Sequence, residues 1–201
     1  MFCVSHLKTA AGPDPFQTPS QGAYFHRGGM TTYARARSDV LQWLRQDTGA
    51  HVTTFFDLYA LPTDFPRRAA ATGAPSGAAR ATLLEEAFAR DIGSPLFFPH
   101  IQPHEFEALL FSDVAAIDRA LQLLMPVSRL SNLTTMLTSL PTPEDLNDSP
   151  STAPSKRLLG LYPAYDKRLF GPLIAAEIGL TRMRQACPHF GAWLTRLESL
   201  S

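Results

Sequence analysis

Two short runs of β-branched and aromatic residues, 51–59 (HVTTFFDLY) and 96–102 (LFFPHIQ), constrain this chain more than any other feature. Side chains of this kind fit a pleated, half-buried surface, so both runs predict strands, the second one broken or edged by Pro99. Residues 32–47 (TYARARSDVLQWLRQD) precede the first run and place Val40, Leu41 and Leu44 on one helical stripe, extended by Tyr33 and Ala36. Residues 78–91 (AARATLLEEAFARD) separate the two runs and read as a second helix, ended by Gly93. Strands that alternate with helices predict a parallel α/β sheet flanked by helices. Two strands are few for such a sheet, so a further strand is expected either to be missing or to lie unrecognised in the first 30 residues.

The remaining segments read more simply. Residues 1–29 contain Pro13, Pro15, Pro19, Gly12, Gly22, Gly28 and Gly29, which leave no room for a regular element. They form an irregular segment ahead of a domain at 30–201. LPTDFP after residue 59 is a Pro-bounded loop, and the small residues of 67–77 are expected to be mobile. Residues 105–124 are helical, with a break near Ser112–Asp113 where Asp113 caps the next helix. Another helix and a Pro/Asp/Asn loop fill 126–150. Three short helices separated by Pro163, Pro172 and Pro188 complete a helical C-terminal half. Trp43, Trp193 and the many Phe residues read as core.

Composition narrows the class. A chain of 201 residues with 45% hydrophobic content can bury a proper core. No apolar run approaches the roughly 20 residues of a membrane span, and the N-terminus lacks the pattern of a signal peptide. No membrane is expected, and the cytoplasm is the expected location. Cys3 and Cys187 lack metal-ligand spacing, and nothing supports a disulfide between them. The net charge of zero argues against a whole-surface nucleic-acid binder. Its distribution is uneven: residues 1–50 carry five Lys/Arg against three Asp/Glu, 51–155 six against twelve, and 156–201 seven against three. An acidic middle suits a divalent metal and a basic end suits phosphate, although solvated helix faces explain the same numbers more simply.

Five stretches carry a resemblance: GGMTTYARARSDVLQWL, VTTFFDLYALPTDFP, IQPHEFEALLFSD, NDSPSTAPSKRL and GPLIAAEIGLTRMRQACPHFGAWLTRLESL, in order over about residues 28–200. Together they resemble the Toprim-like family of domains of unknown function that includes the effector nuclease of the PARIS anti-phage system. HEFEALLFSD and TAPSKR are its most specific strings. The resemblance implies a Toprim-type α/β fold and cleavage of phosphodiesters in nucleic acid, DNA or RNA, dependent on Mg²⁺ or Mn²⁺. It also implies a role in phage defence, with an ABC-type ATPase as partner. Members of that family open with a strand ending in Glu-Gly, a helix and a second strand. This chain has no Glu before Glu85. The first β-α-β unit is therefore expected to be missing through a mis-assigned start or a frameshift, and the activity to be impaired. The rival readings are a non-catalytic interaction module that docks an ATPase through the helical C-terminal half, and a degenerate fragment.

The candidate site follows from strand ends and from the resemblance. Asp57 closes the first predicted strand, where open α/β sheets place ligands, and matches the family's strand aspartate as catalytic metal ligand. A capping role at the next turn is the plainer reading. The family's Asp-x-Asp is reduced here to Asp57-Leu58-Tyr59. Glu105 and Glu107 follow the second strand. If HEFE is extended, both carboxylates converge. If a helix starts at Glu105, they lie about 200° apart and only one faces the site, with Glu105 the nearer. An acidic first helical turn is the alternative. Asp64 and Asp113 read as turn and cap residues, and His104 as hydrogen-bonded in place. Ser155, Lys156 and Arg157 follow Pro154, with Ser151 or Thr152 as N-cap. Free N–H groups and two cations there make a phosphate cradle, or an ordinary capped helix. Asn147 and Asp148 are turn residues first and ligands second.

Overall fold

The computed structural model describes residues 3–4, 30, 32–123, 125–146 and 152–200. It is a mixed α/β fold, mostly helical, built on short parallel strands: β1 (Cys3–Val4), β2 (Val52–Thr53), β3 (Phe56–Asp57), β4 (Phe97–Phe98) and β5 (Ile101–Gln102). Pairing is parallel throughout, in the orders β1-β2-β4 and β3-β5. Val52 pairs with Phe97 and Asp57 with Gln102 at one constant offset, so the two predicted strands run side by side as one interrupted ladder. His100 N–H donates to Thr54 O (3.2 Å) and Phe56 N–H to His100 O (3.1 Å), which carries the pairing across the gap. The Thr53 hydroxyl donates to the Phe98 carbonyl there, at 2.6 Å.

Strand alternation sends successive side chains to opposite faces. Val52, Phe56, Phe97 and Ile101 join a core with helices α1 (Tyr33–Gln46) and α2 (Gly77–Ile92), through Ala36, Val40, Leu84 and Phe88. The two helices start and stop on the signals in the sequence. Ser76 accepts from the Ala79 N–H (3.1 Å), and Gly93 takes the left-handed conformation (φ 69°) that ends α2. The opposite face carries Thr53, Phe55, Asp57, Phe98, His100 and Gln102 towards the helical half. That half comprises α3 (Glu107–Leu110), α4 (Val114–Leu121), α5 (Leu130–Leu137), α6 (Pro154–Leu161), α7 (Lys167–Ala186) and α8 (Pro188–Glu198). Its core gathers Leu109, Leu110, Ile117, Leu133, Leu158, Tyr162, Ile174 and Phe190. Asp118 is buried inside it. Burial alone would raise its pKa, but donors from Tyr162, Ser128, the Arg129 N–H and Gln122 outweigh that and lower it.

Several expectations need correction. A strand, β1, does lie in the segment read as irregular, and with α1 and β2 it forms an opening β-α-β unit that was expected to be missing. Two residues are too short for alternation to show, and the surrounding Pro and Gly hide them. Residues 67–77 contain a 3-10 turn at Ala70–Gly73. Pro172 sits inside α7 instead of separating two helices. The break falls at Gly179 (φ 75°, ψ 158°), because glycine adopts that backbone at no steric cost. Trp43 is 42% exposed and is no core residue, whereas Trp193 is half-buried and donates to the Thr53 hydroxyl at 3.0 Å. Cys187 is a free, buried thiol. Asn147 and Asp148 lie outside the described residues. Among the described residues no helix is long and apolar enough to cross a membrane.

The α7–α8 corner depends on one glycine. A Cβ at Gly191 would stand 2.8 Å from the Arg184 carbonyl oxygen of α7, whereas one at Gly160, exposed in α6, meets nothing within 4 Å. Gly191→Ala is expected to destabilise the chain by about 1–3 kcal/mol, and Gly160→Ala to stabilise it by about 0.5–1 kcal/mol. Urea unfolding of both variants checks this, and equal midpoints would contradict the packing described.

Candidate functional site

The ends of β3 and β5 deliver three carboxylates to one place. Asp57 is the last residue of β3, and its Oδ1 accepts from the Phe106 N–H at 2.9 Å. After β5 the chain turns sharply at His104, whose φ of 64° is uncommon outside glycine. The Tyr59 N–H holds the His104 carbonyl at 3.1 Å. Glu105 follows in non-helical backbone, and the helix begins only at Glu107. The 200° separation of a continuous helix therefore does not apply, and Glu105 and Glu107 are both buried. Burial is the main cause that lifts Asp57 to about 6; the Glu105 charge adds, while the Phe106 N–H and Lys167 oppose. Glu107 rises to about 7, first by burial and then by the Glu105 charge, with Asp57 adding and Lys167 opposing. The three carboxylates thus share one low-dielectric region. They do not form a tight knot: among the described residues, another group alone brings three such ligand atoms within 4.8 Å of one another.

Glu105 also reaches across to α6. Its Oε1 accepts from the Ser155 N–H at 2.5 Å, so a carboxylate 50 residues away takes a helix donor that sequence reasoning left free for phosphate. The N-cap is Ala153, with no side-chain cap, rather than Ser151 or Thr152. Of the three expected phosphate residues, Ser155 is buried, Lys156 is exposed, and Arg157 Nε donates to the Thr152 carbonyl at 2.8 Å. Asp64 accepts from the Tyr33 N–H with both oxygens (3.1 and 3.2 Å), and Asp113 accepts from Ala115 and Ala116 (3.0 and 3.1 Å); both serve helix starts. His104 is buried, and burial first of all pulls its pKa down, against the charges of Asp145 and Glu105.

Two residues near the carboxylates escaped the sequence reading. Lys167, exposed at the first position of α7, is the cation felt by Asp57 and Glu107. The Tyr165 hydroxyl is buried with no hydrogen-bond partner. Burial, then the charges of Glu107, Glu105 and Asp166, push it above its ordinary value. Neither residue carries a local motif, so the sequence offered no signal.

A second cluster lies at the sheet edge beside β5, where α2 and α8 approach each other, away from the strand ends. Glu85 of α2 accepts from the Ile101 N–H (2.6 Å) and meets His189 Nε2 of α8 at 2.9 Å. His100 Nδ1 lies 3.7 Å from the same Glu85 oxygen. His100 stacks on Trp193 and His189, with ring centroids 4.8 and 5.1 Å away. Burial, helped by the His189 charge, pushes His100 down to about 3, against its Gln102 hydrogen bond. Burial also works against the His189 imidazolium, but Glu85 and Glu144 outweigh it and raise its pKa.

Residues 4–198 match the family described as Domain of unknown function (DUF4276), and the chain belongs to that family. No curated protein and no solved structure matches the chain.

Glu107 makes the carboxylate cluster visible in stability. Folded, it keeps its proton up to about pH 7; unfolded, only up to its ordinary 4.5. The folded state binds more protons between these values, so stability falls as pH rises through that window and stays low above it. Glu107→Gln removes the buried charge. In EDTA it is expected to raise stability at pH 8 by on the order of 2 kcal/mol, and to change it little at pH 4.5. Thermal melts at both pH values check this; equal effects at the two would show that the Glu107 charge is not buried at a cost.

Proposed function

We propose that this family member is a Toprim-like, metal-dependent protein that cleaves phosphodiester bonds in nucleic acid, with Asp57, Glu105 and Glu107 as its carboxylates. The observation that carries the reading is their convergence beyond the C-terminal ends of two parallel-paired strands, where open α/β sheets place ligands. The residues fit a hard divalent cation. All three donors are carboxylate oxygens, which suit Mg²⁺ or Mn²⁺. Buried like charges are unfavourable until positive charge joins them, and the buried Tyr165 hydroxyl awaits a partner beside them.

Asp57 and Glu105 would hold the ion with the oxygens not committed to Phe106 and Ser155. Bound Mg²⁺ or Mn²⁺ supplies charge at the phosphate and lowers the pKa of its water. Lys156 near the start of α6 and Lys167 at the start of α7 are exposed cations on the two helix starts that flank the carboxylates. They offer charge to the phosphate backbone, together with Arg157. The resemblance implies a glutamate ahead of Glu85 that these 201 residues do not carry, and turnover by these residues alone is expected to be low. The resemblance supports a cytoplasmic role in phage defence beside an ABC-type ATPase. A second reading, an interaction module, is favoured by Leu169 and Leu173, one helical turn apart on α7 and each 58% exposed.

The test is cleavage of plasmid DNA and structured RNA with Mn²⁺ or Mg²⁺ over long incubations, beside calorimetry of Mn²⁺ binding. Weak metal-dependent cleavage is expected, with Asp57→Asn slowing it by about 100-fold and weakening Mn²⁺ binding. A wild-type rate in Asp57→Asn, or wild-type chain that binds no Mn²⁺, overturns the reading. Lys156→Ala with Arg157→Ala is expected to weaken nucleic-acid binding and to reduce its salt slope by about one unit per lost phosphate contact. An unchanged slope returns α6 to an ordinary capped helix.

A further inference from the structure

The cluster of Glu85, His100 and His189 takes no part in the function proposed above. Each residue brings one ligand atom, and the three atoms lie within 4.8 Å of one another. They line a cleft of about 240 Å³ together with Thr82, Trp193 and Arg196. Glu85 and His189 keep 17% and 13% side-chain exposure, so the cleft is reached from solvent. Glu85 also meets the Ile101 N–H, which explains one of its contacts but says nothing about His100.

One arrangement of the hydrogen bonds around His100 leaves its Nδ1 open to a metal. Gln102 Oε1 lies 3.2 Å from His100 Nε2. The Gln102 amide nitrogen is buried with no acceptor within hydrogen-bond distance. With the amide oxygen towards His100, Nε2 is the nitrogen that donates to it. In the neutral ring Nδ1 is then a bare lone pair. It faces Glu85 Oε1 at 3.7 Å, beyond hydrogen-bond distance. Two acceptors turned towards each other repel unless a cation stands between them. An imidazole that donates its other N–H to an oxygen is also the usual arrangement behind a metal ligand.

The distances suit a transition metal. Bonds of about 2.0–2.1 Å in a tetrahedral zinc site separate ligand atoms by about 3.3 Å. Two of the three separations, 2.9 Å for Glu85 to His189 and 3.7 Å for Glu85 to His100, bracket that value, and the third lies within 4.8 Å. Two imidazoles and one carboxylate favour zinc-type ions over Mg²⁺, and three protein ligands leave a position open. We propose that Glu85 Oε1, His100 Nδ1 and His189 Nε2 bind a divalent transition-metal ion of the zinc type, with its open position towards the cleft beside Trp193 and Arg196.

The test uses the full chain stripped with chelator. Zn²⁺ is added while imidazole nitrogens are followed by ¹⁵N NMR, with calorimetry alongside. The expected result is one Zn²⁺ per chain, with shifts at Nδ1 of one buried histidine and Nε2 of another, and no such shifts with Mg²⁺. His189→Ala and Glu85→Gln are expected to lower zinc affinity by about 100-fold. Asp57→Asn is expected to leave it unchanged, which separates this site from the carboxylate cluster. The NMR readout on the unaltered chain does not depend on any variant folding. Zinc that leaves the buried imidazoles unshifted, or affinity unchanged in both His189→Ala and Glu85→Gln, overturns the proposal.

Discussion

A buried carboxylate needs donors, and a helix start needs acceptors; the 2.5 Å bond from the Ser155 N–H to Glu105 meets both needs at once. It ties the segment after β5 to α6 across 50 residues of chain. Without it, Glu105 would be a buried charge with one donor fewer, and α6 would begin on Ala153 and Pro154 with no side-chain cap. The same solution recurs through the helical half. Glu144 accepts from the His189 and Phe190 N–H groups (2.8 and 3.0 Å) at the start of α8, and Asp57 takes the Phe106 N–H ahead of α3. The helices are thereby positioned against the sheet by acidic side chains as well as by apolar packing.

That economy shapes the chemistry. Glu144 spends both oxygens on helix donors, whereas Asp57 and Glu105 each spend one and keep the other. Asp57 and Glu105 can therefore be structural and still leave an oxygen for the proposed cation. Glu107 gains less from such donors and carries a strongly raised pKa. Sites that hold unneutralised charge in this way cost stability and are where ligands are expected.

The sheet presents two unlike donor sets. Its C-terminal end gathers carboxylates, and the region around His100 gathers two imidazoles and Glu85. Oxygen donors and nitrogen donors select different ions, so the two sets need not compete. The α8 aromatic residues Phe190 and Trp193 pack on Phe55 and His100.

Much of the fold was legible in the chain. Stripes such as Val40 and Leu44 announced α1, Gly93 ended α2, Asp113 capped α4, and the β-branched runs ended on Asp57 and Gln102 in parallel register, because these features act over a few residues. β1 was not legible, since Cys3–Val4 gains meaning only beside Val52–Thr53. Nor was the inward turn of Glu107, which depends on the left-handed step at His104. The partners of Glu105 and Glu85 lie 50 and 104 residues away. Sequence alone determined most of the elements and which carboxylates stand at strand ends, because propensity and periodicity are local. Only the tertiary structure decided which donors those carboxylates meet, and that His100 and His189 face one glutamate, because burial and hydrogen bonding act between residues that the chain keeps far apart.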